Sequence, residues 1–221
     1  MGAFIVNFNV RSQDKPAVER AVRALQPSAA WITAPENGWI TIYEKRASKQ
    51  EDSWIRDMTE RLSAALAAPA ISFLVHDSDI LCYWLCDNGE VIDEYNSRPN
   101  YFSDVDSDSG PEGGRPDLFV RYCANGTSVA DVQRVLAERD DIVLEDQRLE
   151  EFSELLGIDP LRLGTDFHSI GGEMDPSELA ATFIGNSSRP GAQKGGEFRP
   201  RLAIFDEDAA GDDDEDEDVD E

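Results

Sequence analysis

The sequence predicts an α+β fold, and three observations carry that prediction. Apolar residues alternate with period two in residues 3–10 ("AFIVNFNV") and recur in strand-like runs through residues 71–97, whereas residues 16–25 and 54–66 carry apolar side chains at helical spacing. Asn-Gly pairs fall between strand-like runs, where tight turns are needed. With 221 residues, 40% of them hydrophobic, the chain has enough apolar side chains to build a core.

Each element has a local reason. Phe4, Val6, Phe8 and Val10 fall on one face of the first strand and Asn7 and Asn9 on the other, the pattern of a half-buried strand. Ser12 or Asp14 caps the helix that follows, Pro16 sits in its first turn, where a missing N–H costs little, and Val18, Ala21, Val22 and Leu25 form its apolar stripe. "AAWITA" and "WITIYEK" flank "PENG", whose Asn37-Gly38 pair takes positive φ readily, so this stretch reads as a hairpin. Ser48 and Glu51 have the spacing of a capping box. The helix behind them is expected to present Trp54, Met58, Leu62, Ala65 and Leu66 inward and to stop near Pro69, after which "ISFLVH" is a fourth strand. The order over residues 3–76 is β-α-β-β-α-β, the split βαβ arrangement of ferredoxin-like folds.

"HDSDILCYWLCDNGEVIDEYNS" extends this βαββαβ core by a three-stranded antiparallel meander, cut by turns at "DSD" and "DNG". Its middle strand is apolar on both faces, with Ile80, Cys82, Trp84 and Cys86 on one and Leu81, Tyr83 and Leu85 on the other. An interior strand covered on both sides explains that density without catalysis. Residues 1–99 thus form the α+β sheet domain. Residues 100–117, rich in Ser, Asp, Gly and Pro, read as a flexible acidic loop or linker, and residues 118–185 as a small, mainly helical region packed on or beside the sheet domain. Within it, Ser128 and Asp131 have capping-box spacing, Gly157 ends "LEDQRLEEFSELLG", and "DPSELAATFIG" reads as a short helix capped by Asp175. Residues 186–205 are a linker with Arg189, Lys194, Arg199 and Arg201, and residues 206–221 an acidic tail expected to be disordered.

Charge narrows the function classes. The formal net charge is -26, of which the tail contributes 12 acids and no base, so the rest of the chain still carries -14. Such a field repels nucleic-acid phosphates and attracts basic proteins. Direct nucleic-acid binding is not expected, and a basic protein partner is. Acidity also serves solubility and salt adaptation, which makes the tail a solvating brush as readily as a docking strip. No run approaches about 18 apolar residues, so no membrane span is expected. Three cysteines, an odd number without a secretory leader, point to a cytoplasmic protein with reduced thiols.

Candidate chemistry is sparse. Cys82 and Cys86 are four apart on a strand, roughly 13 Å along it, too far to share one metal or one disulfide. Cys123, near Arg121, is the candidate for a thiolate of lowered pKa, and His76, beside Asp77 and Asp79, for a general base. Ordinary packing and a surface histidine at a turn are the competing readings. Asp104, Asp106 and Asp108 open like a calcium loop, but Ser109 and Arg115 stand where such a loop wants Gly and a bidentate Glu. "LLGIDPLRLGTDF" has the outline of a helix-turn-helix junction, yet only Arg148 and Arg162 offer cations there, so a plain αα connection is expected. For partner binding the tail offers Asp212, Asp213, Asp214, Glu215, Asp216, Glu217 and Asp218. No cofactor is expected. The leading expectation is a non-enzymatic binding or regulatory protein that engages a basic partner, for example an antitoxin-like or immunity-like inhibitor. The alternatives are an enzyme using His76 or Cys123 between the sheet and the helical region, and a cation-binding module built on the Asp104 loop.

Overall fold

The computed structural model describes residues 2–103 and 110–185. In chain order they form β1 (Ile5–Arg11), α1 (Lys15–Ala24), β2 (Ala29–Ile32), β3 (Trp39–Glu44), α2 (Asp52–Leu66), β4 (Ala70–His76), β5 (Ile80–Asp87) and β6 (Glu90–Asn96). There follow β7 (Glu112–Gly113), α3 (Pro116–Phe119), α4 (Val129–Leu136), α5 (Glu145–Leu156), α6 (Pro160–Leu163) and β8 (Thr182–Gly185). The fold is mixed α+β. Its strands form one sheet in the order β7-β6-β5-β4-β1-β3-β2-β8, every neighbouring pair antiparallel.

Helices cover both faces of the sheet. On one, α1 and α2 lay Val18, Val22, Ile55, Met58 and Leu62 over Val6, Phe8, Val10, Ile40, Ile42 and Trp84. On the other, α3, α4 and α5 lay Phe119, Val132, Val135, Leu149, Phe152 and Leu155 over Ile71, Phe73, Val75, Leu81, Tyr83 and Leu85. A smaller cluster of Phe167, Ile170 and Leu179 covers Trp31 and Tyr43. β5 therefore buries both of its faces, as the apolar run in residues 80–86 requires.

Local signals hold where the nearby backbone decides. Asp14 caps α1 by accepting from Ala17 N at 2.9 Å. Asn37 (φ 50°) and Gly38 (φ 89°) turn between the paired residues Glu36 and Trp39. Ser128 and Asp131 form the capping box of α4, and Gly157 ends α5 in the left-handed region at φ 68°.

Five local expectations are corrected. Asn7 and Asn9 are fully buried, because the C-terminal layer covers their face and supplies an acceptor for the Asn7 amide, while the Asn9 amide donates to Asn7. Ser48 does not cap α2: it lies in a 3₁₀ turn (Lys45–Lys49), Gln50 turns left-handed, and Glu51 takes the cap position without a side-chain bond. The inward face of α2 runs through Ile55, Met58, Thr59, Leu62 and Ser63, leaving Ala65 outside and Trp54 and Leu66 at the margin. "DPSELAATFIG" is one 3₁₀ turn (Pro176–Leu179), broken where Ala180 adopts φ 46°, after which β8 pairs with β2. Pairing to a sheet edge outweighs weak helical propensity in "TFIG". Within residues 100–117, β7 pairs with β6, and Pro116 already opens α3.

Candidate functional site

The turn between β4 and β5 concentrates the exposed chemistry. Asp77 and Ser78 both take left-handed conformations, φ 50° and 59°, and the chain around them holds the turn in place. Ser78 N donates to Ala3 O at 3.1 Å, and Ser78 O accepts from Glu145 N at 2.8 Å at the start of α5. The Ser78 hydroxyl accepts from Ala3 N at 2.7 Å and donates to Asp146 Oδ2 at 3.1 Å. Tyr101 OH donates to Asp79 Oδ2 at 2.9 Å. These bonds bring segments near residues 3, 101 and 145 to one turn.

The segments that meet there carry apolar and acidic side chains together. Tyr101 (38% exposed), Phe102 (55%), Val143 (73%) and Leu144 (47%) are four of the six large hydrophobic side chains exposed among the described residues; Val129 and Leu161 are the others. Tyr101 and Phe102 meet edge to face, ring centroids 4.8 Å apart. Asp77, Asp79 and Asp146 supply carboxylates, and Asp146 Oδ1 is a buried oxygen without a hydrogen-bond partner among the described residues. Arg98 brings one cation close enough to act on Tyr101 and Glu145.

His76 borders this surface, half-buried rather than free at a turn. Its ring packs against Phe4 (5.0 Å), Phe102 (5.2 Å) and Tyr101 (6.4 Å). Its Nδ1 lies 2.7 Å from Gln50 Oε1, while the Gln50 amide nitrogen donates to Val75 O at 2.7 Å. The Gln50 oxygen therefore accepts, and Nδ1 carries the proton. Burial holds the imidazole below the usual histidine range, with Asp77 and Asp79 pulling the other way.

Cys123 lies elsewhere. Arg11 Nη1 donates to Tyr122 O at 3.1 Å, and the neighbouring Val10 pairs with Ala70 at the start of β4. His76 closes the same strand six positions on, roughly 20 Å away at ~3.3 Å per residue. His76 and Cys123 thus sit near opposite ends of β4. The expected lowering of the Cys123 pKa is overturned: burial pushes the thiol up to about 12, and the opposing cation is Arg11, not the exposed Arg121. Burial likewise raises Cys82, and Cys86 to about 12. All three cysteines are free and buried, so they pack rather than react. Asp104, Asp106 and Asp108, and all of Asp212, Asp213, Asp214, Glu215, Asp216, Glu217 and Asp218, lie outside the described residues. Among the described residues no cluster of three or more His, Cys, Asp or Glu is placed to hold a metal ion.

Two buried arginines, read from the sequence only as cations too few for phosphate, are structural pins. Arg162 donates to Thr33 Oγ1 at 3.2 Å and Ala34 O at 2.8 Å and pairs with Glu36 at 2.9 Å, while its carbonyl accepts from Tyr43 OH at 2.9 Å. Beside it Asn7 donates to Leu163 O, Asn9 to Asn7 Oδ1 and Thr41 to Asn9 Oδ1, at 2.7–2.8 Å. Arg148 pairs with Glu145 at 2.8 Å and donates to Val135 O and Ala137 O, closing the end of α4. Neither guanidinium can reach a phosphate from its buried position. The Asn-x-Asn alternation in β1 is the one sequence signal for the first network.

Among the described residues no helix is long and apolar enough to cross a membrane. Comparison with protein-family models, with curated proteins and with solved structures finds no match for the chain.

Proposed function

We propose that this chain is a non-enzymatic binding or regulatory protein that engages a basic protein partner, an antitoxin-like or immunity-like inhibitor being one concrete form. The observation that carries the reading is the β4–β5 turn, where the exposed rings of Tyr101 and Phe102 stand beside the carboxylates of Asp77, Asp79 and Asp146, and the chain segment carrying exposed Val143 and Leu144 is tied in through Glu145 and Ser78. Apolar area contributes affinity once buried, and the carboxylates steer a cationic partner and fix its orientation. The net charge of -26 extends that steering beyond contact distance. The wide separation of His76 and Cys123 argues against a shared catalytic centre built on them. We further assign the β4-β1-β3-β2 block with α1 and α2 to the ferredoxin-like class, supported by its strand order and antiparallel neighbours. Three buried free thiols suit a reducing, cytoplasmic setting.

Affinity capture from the native host tests the reading, with the full chain as bait beside an Asp77→Asn, Asp79→Asn double variant. The expected result is a basic protein retained at low salt, lost at high salt and depleted by the double variant. Capture of acidic proteins only, or of the same set by both baits, would overturn it.

A further inference from the structure

We infer that the surface around the Asp77–Asp79 turn recognises an arginine flanked by apolar side chains on the partner. The inference rests on the binding role proposed above and names the chemistry of its ligand. Three features converge on a guanidinium. Tyr101 and Phe102 are exposed aromatic rings against which a flat cation can stack. Asp79 and Asp146 each commit one carboxylate oxygen, to the Tyr101 and Ser78 hydroxyls, which leaves the second oxygen of each without a partner among the described residues. For Asp146 that oxygen is buried, so it adds negative charge beneath the surface, while the uncommitted oxygen of Asp79 is the acceptor for a directional donor.

The chain itself uses the same combination elsewhere. Arg148 lies 5.9 Å from the Tyr95 ring while paired with Glu145, and Arg46 lies 5.1 Å from the Trp54 ring while paired with Glu51 at 3.0 Å. At the turn the ring and the carboxylates are present, and Arg98 is one cation against the three carboxylates of Asp77, Asp79 and Asp146. Val143 and Leu144, tied to the turn through the Glu145–Ser78 bond, offer the apolar contact for residues beside the arginine. Lysine shares the charge but not the planar fork or the stacking, so arginine is preferred.

The test is an NMR titration of the isotopically labelled full chain with a synthetic peptide holding one Arg between leucines, beside Lys, citrulline and Gln versions of that peptide. Citrulline keeps the shape of arginine and removes its charge. The expected result is that the Arg peptide shifts the amides of Tyr101, Phe102, Leu144 and Asp146. The citrulline peptide should bind about tenfold more weakly and the Lys peptide about threefold more weakly. Phe102→Ala and Asp79→Asn, each checked for an unchanged spectrum elsewhere, should weaken the Arg peptide most, and Asp79→Asn should leave the Gln peptide unchanged. Equal binding of Arg and Lys peptides, with shifts scattered over the acidic surface, would overturn the arginine site and leave the basic-partner reading standing. Citrulline binding as tightly as arginine would overturn it as well, by reducing the surface to an apolar patch. If no cationic peptide exceeds the Gln peptide even at low salt, both readings fall.

Discussion

Arg148→Met removes a buried guanidinium while keeping most of the apolar stem. Arg148 is 3% exposed and Glu145 4%, so the substitution leaves a carboxylate in a dry site. It also strips the donors from Val135 O and Ala137 O at the end of α4. Breaking a buried pair by deleting one partner costs about 3–5 kcal/mol, most of it the unpaired charge. Ser97 and Arg98 still assist Glu145, which places the expectation near the lower end, at about 3 kcal/mol. With an m-value of about 2–3 kcal/mol/M, the urea midpoint should fall by ~1–1.5 M, read by tryptophan fluorescence. The pH dependence separates charge from packing. Burial already holds Glu145 above its usual pKa, with Arg148 pulling it back. A carboxyl raised in the folded state stabilises below its unfolded pKa of about 4.3, and that contribution is lost as pH rises through the folded value. Removing Arg148 raises the folded value further. The deficit of the variant should therefore be smallest in acid and grow toward neutral pH. A deficit below about 1 kcal/mol at neutral pH, or one that is equal in acid, would refute the charge argument.

Trp84→Ala should cost about 3–5 kcal/mol in a chemical melt, because it empties a large site where β5 packs beneath α2. A loss under about 1 kcal/mol would contradict that packing. Asn9→Ala should cost about 2–3 kcal/mol, since it orphans the Thr41 hydroxyl and one Asn7 oxygen in a closed site, and Thr41→Val added to it should cost less than its own single effect. None of the three thiols should react with a disulfide reagent at mildly alkaline pH in the native protein, given burial and the values near 12 for Cys86 and Cys123; all three should react in denaturant.

The sequence speaks plainly where a residue's environment is set by its neighbours in the chain. The two-sided apolar run at residues 80–86 reads directly as an interior strand, and Asp14, Gly38, Ser128 and Gly157 mark their turns and caps because backbone geometry is local. The failures follow separation. Asn7 meets Leu163 across 156 positions and Arg162 meets Thr33 across 129, so no period in β1 or α6 reveals that each completes the other. β8 fails for the same reason: only the distant β2 tells "TFIG" to be extended. The turn surface was half visible. Asp77 and Asp79 stand out in the sequence, but Tyr101, Val143 and Leu144 reach them only through Ser78 and Asp79.

The covering of the second sheet face by residues 118–163 has a consequence for biosynthesis. β1 to β6 are complete at residue 96, with one face already roofed by α1 and α2, while Phe73, Leu81, Tyr83 and Leu85 wait for α3, α4 and α5. At ~5–20 residues per second a ribosome needs roughly 3–13 s to deliver the missing layer. Throughout that interval the nascent sheet displays a continuous apolar surface, with β2 unpaired on its outer edge until β8 arrives. The chain should therefore draw on chaperones during synthesis, and a message truncated after β6 should yield aggregate rather than a soluble half-protein.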